Sequence, residues 1–461
     1  MLAPPDPEKL AALRATLGGS VLADGEPGYE DARAVFNAMI EKRPAAIAQC
    51  ESADDVRAAL AFARESGLEV AVRGGGHSVA GAALSEGGLT IDLRRMNAAR
   101  VDPGARTITV QGGATWADFD SACQPHGLAG TGGRVSTTGV AGLALGGGSG
   151  WLERKFGLAC DSLVAAELIT ADGRSVHASE SENPELFWAL HGGGGNFGIA
   201  TALTFRLHEL PEFTAALLVW PAADGAGLVR AYRELLERAP DEVGGFLAYI
   251  TGPEEDFVPA TLHGELVCAV LVTYAGPEGK ARDAFAPLAA LEPAGELVAE
   301  MPYAELQSML DDPPGYRNYW SAEYLAELPD AAVDVFTIAA RGIIVPSPTQ
   351  HILFPWGGAV TSQSAGSPLA TRDAPWVVHP LTMWEDPADD ERAIAWTREL
   401  CAAIAPWSTG ATYLNFVGDE GEERILSGYG AANYTRLAAV KAEYDPDNVF
   451  HLHHPVRPLT A

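Results

Sequence analysis

A chain of 461 residues exceeds one ordinary core and predicts two domains or one large composite, while a hydrophobic share of 47% and a charged share of 20% exclude a disordered polymer. With 61 Asp and Glu against 31 Lys and Arg, the net charge of −30 repels phosphate backbones and argues against a nucleic-acid partner. Any anionic cofactor must then be held locally by backbone dipoles.

From the N-terminus, Met1-Leu2-Ala3-Pro4-Pro5-Asp6 offers neither a basic nor an apolar leader region, and no apolar run reaches membrane-spanning length. The expectation is a cytoplasmic protein with no membrane partner. The five cysteines (Cys50, Cys123, Cys160, Cys268, Cys401) are odd in number and lack CxxC spacing, which predicts reduced thiols. Ser52 is the expected N-cap, with Asp55 three residues on, of a helix whose apolar face is Val56, Ala59, Leu60 and Ala63; Gly67 is its C-cap. Residues 68–72 read as a buried strand running straight into Arg73-Gly74-Gly75-Gly76-His77-Ser78. Strands are expected over 89–93, 107–111, 167–170 and 201–207, with a short helix over 183–190.

After Pro211 the texture changes. Helices over 227–238, 280–291 and 390–404 alternate with strands over 266–274 and 376–381, predicting one sheet covered by helices. A helix over 433–444 stops at Asp445-Pro446, where proline cannot continue it. No internal repeat or long linker interrupts the chain.

The 50 glycines cluster instead of repeating, which signals tight turning or close approach. Gly193-Gly194-Gly195-Asn196-Phe197-Gly198 matches the dinucleotide pattern GxGxxG, but a helix precedes it and a strand follows, the reverse of what that fingerprint needs. His191-Gly192-Gly193-Gly194 mimics an esterase oxyanion run, yet the chain has no GxSxG elbow; Ser408 comes nearest and lacks the first glycine. His451, His453 and His454 read as packing and surface residues, so no metal is expected. The turn at Gly74, Gly75, Gly76 and His77 is different. It ends a buried strand, so its amides can converge on an anion. Thr137-Thr138-Gly139-Val140-Ala141-Gly142 with Gly146-Gly147-Gly148 has the same character, and two such segments suggest one extended phosphate-bearing ligand touching both.

These residues resemble the FAD-linked oxidases of the berberine-bridge-enzyme type, in the vanillyl-alcohol-oxidase/p-cresol-methylhydroxylase superfamily. The resemblance rests on Val72-Arg73-Gly74-Gly75-Gly76-His77-Ser78, residues 29–37 with Arg43-Pro44, and Gly112-Gly113-Ala114-Thr115-Trp116. It continues through residues 143–150, Gly157-Leu158, Asp161 and residues 186–198, and ends on Asn433-Tyr434 and Tyr444-Asp445-Pro446-Asp447-Asn448-Val449-Phe450.

The resemblance implies an α+β fold, with a two-part FAD-binding domain (1–210 and 410–461) around a substrate domain (211–409) built on an antiparallel sheet covered by helices. It implies FAD bonded through its 8α-methyl to His77, in a site drawing on Arg73, Gly74, Gly75, Gly76, Ser78, Gly81, Thr137, Thr138, Gly139, Gly142, Gly147, Gly150, Ile199 and Asn448. Many relatives add a second bond through a cysteine whose place here is Val135, so attachment is expected at one residue only. The implied reaction takes hydride from an alcohol, amine or polyketide-like small molecule to flavin N5. Reoxidation by O2 then gives hydrogen peroxide, with Thr138 controlling oxygen access. Tyr413-Leu414-Asn415-Phe416 matches a strand beside the flavin, which makes Tyr413 or Asn415 the candidate for holding the substrate or taking its proton. Relatives also build their pocket on the strand near 351–356. The alternatives are an oxygen-inserting tailoring enzyme and a flavin-binding protein without turnover. The sequence assigns neither a substrate nor an oligomeric state.

Overall fold

The helix announced by Ser52 forms over Ala53–Ser66: Ser52 Oγ accepts from Asp55 N at 3.1 Å, and Gly67 ends it in the left-handed region at φ 63°. Asp55 does not complete the expected capping box. Its carboxylate instead accepts from Gly18 N and Glu51 N at 2.9 Å each, tying the preceding loops to the helix start. The computed structural model describes residues 6–459 apart from Leu310, so the opening residues 1–5 and the ends of the outermost expected segments lie outside the described residues.

The strand Val70–Arg73 pairs in parallel with Leu89–Asp92, which pairs in parallel with Ala46–Gln49; Ser20–Ala23 closes this four-stranded sheet antiparallel at its edge. Beside it stands a five-stranded antiparallel sheet in the order Ala99–Asp102, Thr107–Gln111, Ile199–Arg206, Leu163–Ile169, Ser175–Ser179. The short helix Pro184–Ala189 forms as read. The strand expected over 167–170 starts earlier, at Leu163, and ends at Ile169; the exposed Glu167 interrupts an apolar run that belongs to one strand.

The middle of the chain builds one eight-stranded antiparallel sheet. Its order is Gly295–Glu300, Thr214–Pro221, Leu266–Tyr274, Val243–Thr251, Gln350–Pro355, Trp376–Trp384, Arg317–Trp320, with Glu323–Leu325 also on Trp376–Trp384. Helices Gly225–Leu236, Glu278–Ala289, Asp330–Ala339 and Asp390–Ile404 bury their apolar faces on one side of it, through Leu228, Tyr232, Phe285, Phe336 and Leu400. The fold is therefore α+β with a helix-covered antiparallel sheet. The other face of that sheet presents Leu217, Phe246, Leu271, Ile352 and Phe354 to a cavity. Among the described residues no helix is long and apolar enough to cross a membrane.

Helix Ala431–Tyr444 stops where Asp445-Pro446 begins, and a buried ion pair fixes that end. Lys441 and Asp445 are both 0% exposed and 2.6 Å apart; Lys441 Nζ also donates to Asn196 O (2.8 Å) and Phe450 O (2.7 Å). Asp445 accepts in turn from Val449 N and Phe450 N. Removing one partner strands a charge away from water, which costs about 3–5 kcal/mol. Lys441→Met should accordingly lower the unfolding free energy by that amount, seen by circular dichroism as a lower urea midpoint with little change in the denaturant slope.

Candidate active site

Val70–Arg73 ends at the glycine turn, and the turn meets the second glycine segment directly. A Cβ built on Gly75 would overlap the amide nitrogen of Gly139, and one built on Gly139 would overlap the amide nitrogen of Gly75. The two segments expected to share a ligand thus touch backbone to backbone. Thr138 O accepts from Trp116 N at 3.0 Å, Ala114 O from Val140 N at 2.9 Å, and Asp311 from Ser136 N and Oγ at 2.6 Å each, so the 135–139 loop is held from three sides.

His77 stands in the angle between the segments. Its ring stacks on Phe36 (centroids 4.4 Å, planes at 20°), with Nε2 2.9 Å from Thr137 Oγ1 and Nδ1 3.3 Å from Thr138 Oγ1. Burial, and secondarily the charge of Arg73, push its pKa down to about 4, so the imidazole is neutral at physiological pH.

Gly74, Gly75, Gly76, His77, Ser78, Thr138, Gly139, Gly142, Ile199 and Asn415 all line one cavity of about 880 Å³. Thr137 reaches it only through His77. Several expected site residues stand behind the wall instead. Arg73 turns its guanidinium onto the carbonyls of Ala32 and Ala34, bracing the turn. Gly81 packs on Ile40, Gly147 on Tyr413 and Leu369, and Gly150 on the Gly132 carbonyl, so their missing side chains serve internal close approach. Asn448 takes a left-handed φ of 54°, while its neighbours Phe450, His451 and His453 reach the cavity in its place. His451 is held by Asn448 O (2.8 Å) and Glu69 (3.2 Å), and the rings of His453 and His454 lie 4.4 Å apart. The His191-Gly192-Gly193-Gly194 run has its Gly193 and Gly194 amides committed to Ala189 O and Leu145 O at 2.8 Å each, so neither is free to hold an oxyanion.

Tyr413 requires correction. Leu414–Phe416 forms a 3-10 turn, not a strand, and Tyr413 is fully buried behind the wall. Its hydroxyl accepts from Gly148 N (2.5 Å), Ser149 N (3.0 Å) and Asn415 Nδ2 (3.1 Å), and burial raises its pKa. Such a group holds the glycine loop and stands outside the described cavity wall. Asn415 faces the cavity, with Nδ2 also donating to Leu143 O at 2.9 Å.

The sheet supplies what sequence reading missed. Along Gln350–Pro355 the side chains of Gln350, Ile352 and Phe354 point into the cavity, whereas His351 turns away to Phe336 O (2.9 Å). On the neighbouring strand His379 faces the cavity. Its Nδ1 lies 2.8 Å from Ser321 O and donates to it, so Nε2 keeps the lone pair; burial pushes the pKa to about 4. An aromatic arc joins it to His77: His379 stacks on Phe416 (4.4 Å, 13°) and meets Trp320 at 6.0 Å, and Trp320 meets Phe36 at 6.0 Å. A lone histidine inside a continuously apolar strand gives no periodic signal, and only the pairing of 350–355 with 376–384 brings it to the site.

A Cβ on Gly142 or Gly195, both in the cavity wall, would meet nothing within 4 Å. Packing within the protein does not require glycine there, so both positions leave room for an occupant. A family model described as FAD binding domain matches residues 44–179, and one described as Berberine and berberine like matches residues 412–457. The (R)-6-hydroxynicotine oxidase of Paenarthrobacter nicotinovorans is 30% identical over 96% of this chain and 97% of its own length. The FAD-linked oxidoreductase pgmH of Aspergillus terreus is 30% identical over 98% of this chain and 96% of its own. Among solved structures, 6-hydroxy-D-nicotine oxidase from Arthrobacter nicotinovorans superposes with a TM-score of 0.86 at 29% identity, over 96% of this chain and 98% of that one. The carbohydrate oxidase from Microdochium nivale shares the fold, with a TM-score of 0.85 at 23% identity over 98% of this chain and 100% of that one.

FAD fits the paired glycine segments and the open wall at Gly142 and Gly195. Gly142 lies inside helix Val140–Leu145, where a side chain favours the helix but enters the cavity. Gly142→Leu is expected to leave the melting temperature of flavin-free protein unchanged or higher. Flavin absorbance per protein should fall at least about tenfold, read on the purified variant.

Proposed function

This chain belongs to the berberine-like FAD-linked oxidoreductases, and on that premise we propose that it oxidises a small, flat organic substrate, with FAD attached at His77 and O2 as the terminal acceptor giving hydrogen peroxide. Bound FAD supplies a two-electron, hydride-accepting centre. The observation that carries the reading is a single cavity with the glycine turns and His77 on one side and the aromatic sheet face with His379 on the other. The corresponding division is an FAD part from 1–210 and 410–461, and a substrate part from 211–409 that holds the whole eight-stranded sheet.

His77 is proposed as the single attachment residue. A neutral ring nitrogen is nucleophilic, and the Thr137 and Thr138 hydroxyls, one at each nitrogen, hold the ring in place. Val135 lines the cavity where relatives of the doubly linked kind carry cysteine, and no cysteine stands among the described wall residues. The Thr138 hydroxyl turned toward His77 favours the oxidase over the oxygen-inserting alternative, leaving Thr138 to set the space for O2. Asn415 is proposed to hold substrate or flavin, with Tyr413 behind it as a positioning residue. His379 is proposed as the base: Ser321 holds the Nδ1 proton, so Nε2 receives a proton from the substrate O–H or N–H.

Acid-precipitated wild-type protein should stay yellow, with the flavin on a His77 peptide; His77→Ala should give a colourless pellet from protein that still binds flavin when native. A colourless wild-type pellet from flavin-loaded protein refutes the covalent bond. His379→Gln should keep full flavin content yet slow anaerobic flavin reduction by substrate about 100- to 10,000-fold. Because the pKa is lowered to about 4, the rate of anaerobic flavin reduction at saturating substrate is expected to stay level as pH falls from 8 toward 5, and to drop only as His379 protonates near pH 4. A level profile with an undiminished rate in His379→Gln excludes it as the base.

A further inference from the structure

Asp311 and Asp312 are neighbours with different surroundings. Both oxygens of Asp311 are occupied by Ser136. Asp312, 9% exposed, lines the cavity; Oδ1 accepts from Gln350 Nε2 at 2.8 Å, and among the described residues nothing donates to Oδ2. Among the described residues neither lysine nor arginine contributes to its environment. Burial, and then the nearby Asp311 charge, push its pKa up to about 7. Arg134 is the one cation among the described wall residues, and it is committed elsewhere: to Glu153 at 2.7 Å, to Ser149 Oγ at 2.9 Å and to the face of Phe354 at 4.1 Å. Exposed Glu255 and Asp256 add negative charge to the wall of the same cavity.

A buried carboxyl without a cation is an unmet electrostatic demand inside a binding cavity. We infer that Asp312, oriented by Gln350, docks a cationic nitrogen carried by a flat aromatic substrate. The inference rests on the oxidase reading of this cavity and names the substrate class. Gln350 pairs with Leu381 and Ile352 with His379, so the Cα atoms of Gln350, which orients Asp312, and of His379 stand roughly 8 Å apart, two residues along and one strand across. The cationic nitrogen is therefore an anchor, separate from the O–H or N–H that His379 meets. Phe416, Phe354 and Phe246 provide the apolar bed between the sheet and the ring system.

The test is calorimetric titration of the holoenzyme at pH 8 with three probes of one shape: 2-naphthylmethylamine, 2-naphthylmethanol and 2-naphthoic acid. A charge-assisted hydrogen bond predicts that the amine binds at least about tenfold more tightly than the alcohol, with the acid weakest. Asp312→Asn should reduce the amine's advantage to about twofold or less while the alcohol's Kd moves by less than about twofold, and Asp312→Glu should restore most of it. Gln350→Leu, which keeps the charge but frees its orientation, should retain only part. Equal binding of amine and alcohol by wild type overturns the inference. So does a preference that survives Asp312→Asn, or one abolished only by Glu255→Gln with Asp256→Asn. Purified protein devoid of flavin would refute the oxidase reading instead, and the same titrations would still decide Asp312, because calorimetry needs no flavin signal.

Discussion

The contact between Gly75 and Gly139 governs the rest of the site. Two backbones that meet with no side chain between them fix the distance from the end of strand Val70–Arg73 to the start of helix Val140–Leu145. With that distance fixed, His77 falls between two consecutive threonine hydroxyls and against Phe36, and both ring nitrogens are engaged. A methyl group at either glycine forces the segments apart and takes the threonines from the histidine, without touching the cavity itself. The close approach of the two glycine segments and the orientation of the histidine are thus two results of one steric fact.

Polar side chains that reach buried backbone hold the parts of the chain around the cavity. Arg154 donates to Val243 O at 2.9 Å and Trp356 O at 3.0 Å, and Arg372 closes a two-pronged pair with Asp161 while giving Nε to Val360 O at 2.8 Å. Asn37 and Asn318 exchange hydrogen bonds at 3.1 Å in both directions. Apolar packing alone tolerates sliding, whereas each of these contacts leaves a buried donor unmet if the parts shift by an ångström or two. The cavity keeps its width because its borders are specified by direction as well as by burial.

This division between local and long-range determinants explains what the sequence reveals. The helix after Ser52, the strand ending in Gly74-Gly75-Gly76-His77 and the stop at Asp445-Pro446 are legible because caps, glycine runs and proline act within a few residues. Even the partnership of the two glycine segments follows from their shared lack of side chains. His379, Asp312 and Gln350 carry no such mark. They converge only through the pairing of 350–355 with 376–384 and the approach of residue 312 to that edge, contacts between segments far apart in the chain. Tyr413 misleads for a related reason: its apolar neighbours suit a strand, but its hydroxyl is drawn to the Gly148 and Ser149 amides and the chain turns there. Gly81, Gly147 and Gly150 show the converse ambiguity, since a glycine that admits a ligand and one that admits another backbone read alike.

Desolvation shapes the chemistry of the cavity in one direction for every titratable group that matters. His77 and His379 are both lowered to about 4 and Asp312 is raised to about 7, so each is pushed toward its neutral form, Asp312 with the added help of the Asp311 charge. For His379 this has a mechanistic consequence. A base whose conjugate acid has a pKa near 4 cannot hold the proton of an unreacted alcohol or amine, which is far less acidic. The proton becomes transferable only as hydride leaves the adjacent carbon and positive charge gathers on the heteroatom, when the O–H or N–H turns strongly acidic. In the reaction proposed above, proton transfer to Nε2 would therefore accompany or follow C–H cleavage, and the Ser321 carbonyl, by holding Nδ1–H, would stabilise the imidazolium as it forms.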